Sequence, residues 1–238
     1  MNSLILYNKS SQCLWEIEDG SIDLVFIAPP FNIGTTYGKN QDRMSQAHYR
    51  QLLDDTISHT NRVLKYGGHV VAEVADTIIY PDHVFAQAAY FENRLSGDLK
   101  FKCRHFAFES TQNHVQQLDS RWQNFTTRGN SHSCTLQYLV FAKSNSPTKF
   151  EKGRVFYENA EPRYGHPCPS PENTLRQIVV PLLSSGARND LRVLDPFMGT
   201  GTLGEIVHKS NMAHDITYIG YELDSNIFQA TNSRLRNL

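Results

Sequence analysis

Apolar positions along the chain alternate between short dense runs and longer stretches of helical period, the pattern of a doubly wound α/β sheet. The short runs predict strands over Leu4–Tyr7, Ile22–Ile27, His69–Val74, Arg192–Leu194 and Ile216–Tyr221. Helices are predicted over Ser10–Ile17, Asp42–Lys65, Pro81–Leu95, Glu172–Leu183 and Thr202–Ser210, with a last one from Ser225. The longest, Asp42–Lys65, carries Leu52, Leu53, Ile57, Val63 and Leu64 and is ended by Gly67-Gly68. Leu99–Phe108 and Thr135–Ala142 read as an antiparallel pair. No repeat or low-complexity tract interrupts this order.

Two of the strands break into unusual loops. Ile22–Ile27 runs into Ala28-Pro29-Pro30-Phe31. This loop resembles the catalytic loop of DNA amino methyltransferases, whose substrate, a base amino nitrogen, is a poor nucleophile because its lone pair is delocalised into the ring. A side-chain oxygen and a backbone carbonyl accepting both N–H bonds would pull it toward tetrahedral geometry. Consecutive prolines fix φ and offer carbonyls without competing donors, and Phe31 offers a face on which a flipped base can stack. Ala28 cannot supply the side-chain acceptor. Taken alone, Pro-Pro would simply end a strand.

The second loop is Asp195-Pro196-Phe197-Met198-Gly199-Thr200-Gly201-Thr202, where the glycines permit a tight turn and close approach to a nucleotide-like ligand. About twenty residues on, a strand ends in Glu222, placed to hold two ribose hydroxyls, with Asp224 just beyond. A third segment, Tyr164 to Glu172, enters a helix through His166-Pro167 and Ser170-Pro171, with Ser170 as the expected N-cap and Pro171 at the first helical position. Such a helix start can also face a carboxylate.

Together these segments resemble the DNA amino methyltransferases, whose catalytic loop ordinarily begins with Asp, Asn or Ser where this chain has Ala28. Residues 195–202 resemble their S-adenosylmethionine loop, DPFxGxGT. Catalytic loop first and cofactor loop last is the permuted order of the β class, and the resemblance spans nearly the whole chain. It implies a Rossmann-like α/β fold of the class I methyltransferase type, S-adenosylmethionine as methyl donor, and double-stranded DNA with a flipped base as substrate. It implies that His166 and Pro167 line the methionine side of the cofactor. The acid expected near the adenine is replaced by Asn8, which is equally read as a turn residue. Phe31, the following FNIG and the HPCPSPE segment lean toward cytosine N4, whereas Ile27 leans toward adenine N6. Protein glutamine methyltransferases carry a similar loop in the opposite order.

Charge narrows the DNA-contacting region. Residues 98–165 hold ten Lys or Arg against six Asp or Glu, net +4, while the remainder is net −5 within an overall −1. Two insertions, residues 110–134 and 143–163, are the expected contacts, with Asn32, Arg121, Trp122, Asn124, Arg128, Lys143, Lys149, Lys152 and Arg154 as candidates. A solvated basic loop is the plain alternative. The recognition insertion is short, which points to a homodimer or a partner subunit.

The 238 residues suffice for one methyltransferase domain. No apolar run approaches a membrane span and the N-terminus lacks a signal-peptide layout. Four scattered cysteines read as reduced thiols of a cytoplasmic protein, in a prokaryotic nucleoid or phage setting. The histidines show no metal-ligand spacing, and methyl transfer from a sulfonium needs no metal. Two functions follow: a base methyltransferase of the restriction-modification kind, slowed by Ala28, or a catalytically silent cofactor- and DNA-binding subunit.

Overall fold

The computed structural model describes residues 2–37, 39–80, 82–108, 131–132, 135–144, 153–158, 169–184, 190–210 and 215–238. Most of the two expected DNA-contacting insertions, with Arg121, Trp122, Asn124, Arg128, Lys149 and Lys152, lies outside the described residues, as do His166 and Pro167.

In chain order the described elements are β1 (Ser3–Tyr7), β2 (Ile22–Ile27), β3 (Thr36–Tyr37), β4 (Asn40–Gln41), α1 (Gln46–Val63), β5 (Leu64–Ala75), β6 (Ile78–Ile79), β7 (Val84–Phe85) and α2 (Gln87–Leu95). They continue with β8 (Lys100–Phe108), β9 (Ser131–His132), β10 (Thr135–Ala142), β11 (Val155–Tyr157), α3 (Glu172–Ser184), β12 (Asp190–Asp195), α4 (Thr202–Lys209), β13 (Asp215–Tyr221) and α5 (Ser225–Arg236). Eight strands form one sheet in the order β1-β13-β12-β2-β5-β10-β8-β11. Among them β10 alone runs against its neighbours, pairing antiparallel with β5 and with β8; the β8–β10 pair is the one the sequence predicts.

The sheet is buried on both sides, which is why β2 has no exposed residue and reads as an unbroken apolar run. One core cluster gathers Val25, Ile27, Val70 and Ala72 under α1 and α2. The other gathers Leu24, Phe26 and Val71 under α3, α4 and α5. Helix α1 buries Tyr49, Leu52, Leu53, Thr56, Ile57, Thr60 and Val63, spaced three or four apart, and each of its large apolar side chains contributes about 1.5–3 kcal/mol.

Three predicted helices are shorter or absent. Ser10–Ile17 forms turns: the Ser10 hydroxyl takes the Gln12 amide at 3.2 Å, and Arg62 of α1 caps the Leu14 and Ile17 carbonyls. The helix expected over Asp42–Lys65 starts only at Gln46, where Ser45 caps the His48 amide, and turns extended at Leu64. Gly67, with φ +82°, lies inside β5 rather than ending the helix. Before α2, Ile78–Ile79 and Val84–Phe85 pair as a small hairpin in the place of a first helical turn.

Helix α1 carries the chain from β2 to β5 on one side, and α4 carries it from β12 to β13 on the other. The order therefore reverses between β12 and β2. In open α/β sheets ligands bind outside the strand carboxyl ends at that switch point.

Candidate functional site

A cavity of about 480 Å³ opens at that point. Its wall brings together Ala28, Pro29, Pro30 and Phe31 after β2, Asp195, Pro196, Phe197, Gly199 and Thr202 after β12, and Glu222 and Asp224 after β13. Segments separated by more than 160 residues in the chain thus meet because their strands are neighbours.

The loop after β2 is held from below. Tyr49 Oη donates to the Pro30 carbonyl at 2.7 Å, Gln87 Nε2 donates to Tyr49 Oη at 2.8 Å, and the Ala75 amide donates to Gln87 Oε1 at 2.7 Å. Tyr80 Oη donates to the Phe31 carbonyl. All three side chains are buried, so this chain of bonds fixes the Pro-Pro segment against β5.

On the cofactor-loop side, Glu222 Oε2 accepts the Gly199 amide at 3.1 Å and Oε1 the Asp224 amide at 2.7 Å. Burial pushes the Glu222 carboxyl up, against the pull of those amides. Asp195 is buried: Oδ2 accepts Tyr218 Oη at 2.9 Å while Oδ1 makes no hydrogen bond. Desolvation, partly offset by Tyr218, carries its pKa to about 7. Gly201 stands behind the wall with φ +71°. A Cβ there would come within 2.9 Å of both Thr231 and Leu235, so glycine lets α4 start beneath α5.

The family profile described as DNA methylase, of the N6/N4 type, matches residues 22–233. The chain belongs to that family. The methylase is 24% identical to the type II methyltransferase M.HpaI of Haemophilus parainfluenzae over 99% of its own length and 74% of the relative's. It is 25% identical to the DNA adenine methyltransferase YhdJ of Escherichia coli, covering 97% and 82% of the two chains. Its fold matches the cytosine-N4-specific PvuII DNA methyltransferase with a TM-score of 0.66 at 18% identity, over 100% of this chain and 87% of that one.

Several residues expected at the site of the methylase occupy other roles. Asn8 does not line the cavity; its Nδ2 donates to the Glu222 and Leu223 carbonyls and ties β1 to the end of β13. Asp224 is saturated, Oδ1 capping the Asn226 and Ile227 amides and Oδ2 accepting from Lys39 and Asn40. Asn32, proposed to touch DNA, is buried with φ +57° and clamps Met44 through both its amide atoms. Lys143 turns inward: its ammonium donates to the Asn61 and Leu64 carbonyls at the end of α1 and is not presented to a phosphate. Arg154 is exposed beside β11, away from the cavity wall.

Ser170 is not the N-cap of α3. Its hydroxyl donates to Glu73 Oε1 at 3.0 Å, and the helix start is capped instead by Glu158, whose carboxylate accepts the Asn173 and Thr174 amides and the Thr174 hydroxyl.

Glu73 and Glu158 also line the cavity, and sequence reasoning passed over both. An acid inside the apolar run Val70–Ala75 was the available signal for Glu73, since a buried strand rarely keeps an unexplained charge. Glu158 carries no local signal; its partner helix begins fourteen residues later.

Proposed function

We propose that the methylase transfers a methyl group from S-adenosylmethionine to an exocyclic amino group of a base in double-stranded DNA. The observation that carries this reading is the convergence of Ala28–Phe31, Asp195–Thr202 and Glu222 on one cavity at the switch point. The residues present suit the cofactor. Glu222 offers a carboxylate at the mouth of β13 for ribose hydroxyls, and Gly199, with φ +49°, lets the backbone approach closely. Asp195 Oδ1, buried and without a hydrogen bond, suits the cationic end of the molecule. When bound, the cofactor supplies a methyl group on an already activated sulfonium.

The chain's own residues then do the rest. Phe31 gives the flipped base a face, its carbonyl and that of Pro30 being held by tyrosines. The Pro29 carbonyl is left to accept one amino N–H. The apolar part of the wall, with Phe26, Leu136 and Met198, excludes water. Cytosine N4 is slightly favoured as the target, on Phe31, the residues after it and the HPCPSPE segment, with adenine N6 the alternative on Ile27.

Ala28 lowers the rate below that of an enzyme with an acceptor at this position. The same residue carries the second reading, a silent cofactor- and DNA-binding subunit. Mass spectrometry of nucleosides from duplex DNA incubated with the protein, Ala28→Asp and Ala28→Ser separates the two. The expected result is a methylated base from the unaltered chain and more of it from both variants. No methylation by any of the three, with cofactor binding intact, favours the silent subunit.

A further inference from the structure

Ala28 leaves the mouth of β2 without a polar side chain, and the strand beside it supplies one. The β2–β5 ladder ends at the Ile27–Ala72 pair; Ala28 and Glu73 each follow that pair by one residue, and both line the cavity. Residues of one rung point to the same face. Phe26 and Val71, one period back, lie together in the second core cluster, with Ala28 packed on it. Neighbouring strands are about 4.8 Å apart, a gap that the two methylenes of a glutamate can cross.

Glu73 is 7% exposed and lines the cavity. Ser170 donates to Oε1 and Oε2 has no hydrogen bond of its own; the nearby Tyr138 hydroxyl favours the charged carboxylate and draws its pKa down, against burial. The other acids of the wall are placed differently. Asp195 lies on the glycine-loop side of Ala28, Glu222 takes the Gly199 and Asp224 amides, Asp224 caps α5, Glu158 caps α3, and Asp42, whose carboxylate oxygens make no hydrogen bond, belongs to the loop before α1, beside residues 32–35.

We propose that Glu73 stands in for the acceptor missing at Ala28, its Oε2 receiving an N–H of the target amino group and then the proton that group sheds. This rests on the methyltransferase reading above. As the nitrogen forms its bond to the methyl carbon, the carbon–sulfur pair passes to sulfur, which becomes a neutral thioether. The nitrogen carries the positive charge until one of its protons moves to the Glu73 carboxylate, which becomes a neutral acid and later returns the proton to water. Desolvation places the Glu73 carboxyl near 7, suited to taking a proton at neutral pH; Tyr138 on β10, Asp195 on β12 and Glu158 before α3 are the titratable groups around it.

Glu73→Gln keeps the size and an oxygen for Ser170 but not the charge. It is compared with the unaltered protein, Ala28→Asp and the double variant. The readouts are methylation of duplex DNA, calorimetric binding of S-adenosylmethionine, and thermal unfolding. Glu73→Gln is expected to lose about 10²–10³ in rate with cofactor affinity held within about threefold, and Ala28→Asp is expected to restore the rate in the double variant. Three results would each overturn the proposal: undiminished methylation by Glu73→Gln, no restoration by Ala28→Asp, or a cofactor affinity weakened about tenfold or more, which would put Glu73 on the cofactor's ammonium. If Glu73→Gln does not fold, Glu73→Asp, one methylene shorter with the charge kept, is expected to lose about tenfold, and an unchanged rate overturns the proposal. Absence of any cofactor binding by the unaltered protein would instead overturn the methyltransferase reading. Cofactor binding without methylation, alongside an active Ala28→Asp, would overturn the role of Glu73 alone.

Discussion

Tyr49 in α1 donates its hydroxyl to the carbonyl of Pro30, 19 residues earlier, at 2.7 Å. With Gln87 and the Ala75 amide behind it, this bond ties the second helix and β5 to the loop at the mouth of β2. Tyr49→Phe leaves the half-buried Pro30 carbonyl and a buried Gln87 N–H without their partner. It is expected to lower stability by about 1–3 kcal/mol in urea unfolding and to slow methylation through a looser loop. Unchanged stability would show that the carbonyl is satisfied without the tyrosine.

Stability depends on pH through the two buried acids. Glu73 and Asp195 both titrate near 7 in the folded chain, against ordinary values of 4.5 and 3.8. Between those limits the folded state holds more protons than the unfolded one, so stability falls as pH rises and the benefit is gone above about 7. The cofactor-free protein is expected to melt higher at about pH 6 than at about pH 8, with each acid contributing about 1.4 kcal/mol to the difference at most. Glu73→Gln removes its share and flattens the dependence. A melting temperature that rises from pH 6 to pH 8 would contradict this.

Glu222 is expected to bind, not to react. Glu222→Ala should weaken S-adenosylmethionine binding about 10- to 100-fold in calorimetry, the size of one or two charge-assisted hydrogen bonds. Affinity within experimental error of the unaltered protein would remove Glu222 from the cofactor site.

Gly201→Ala tests the seat of the glycine turn. With φ +71° and a Cβ only 2.9 Å from Thr231 and Leu235, the added methyl is expected to cost about 1–3 kcal/mol of stability and to displace the start of α4. Unfolding that matches the unaltered chain would mean that α5 yields without cost.

Much of this site was legible in the sequence because strand ends and glycine loops are local signals. The run into Ala28-Pro29-Pro30-Phe31 and the turn from Asp195 to Thr202 each announce a strand, a break and a loop, and the sheet order then brings them together. Side chains that serve two elements at once were not legible. Asp224, Asn32 and Lys143 carry groups suited to a cofactor or DNA, yet each spends them on the fold, on α5, Met44 and α1 respectively. Glu73 and Glu158 matter through partners 97 and 15 or 16 residues away, a distance that periodicity cannot report. The Ser10–Ile17 helix failed for a local reason: the Ser10 hydroxyl takes the Gln12 amide in a turn that competes with a helix.

The central claim is that the cavity at the switch point methylates a base amino group and that Ala28 limits the rate. Its most direct measurement is nucleoside mass spectrometry on duplex DNA treated with the unaltered chain, Ala28→Asp and Ala28→Ser under equal cofactor. The account predicts one methylated amino base in all three, with more of it when an acceptor is placed at position 28. Equal, robust methylation by all three proteins would contradict it.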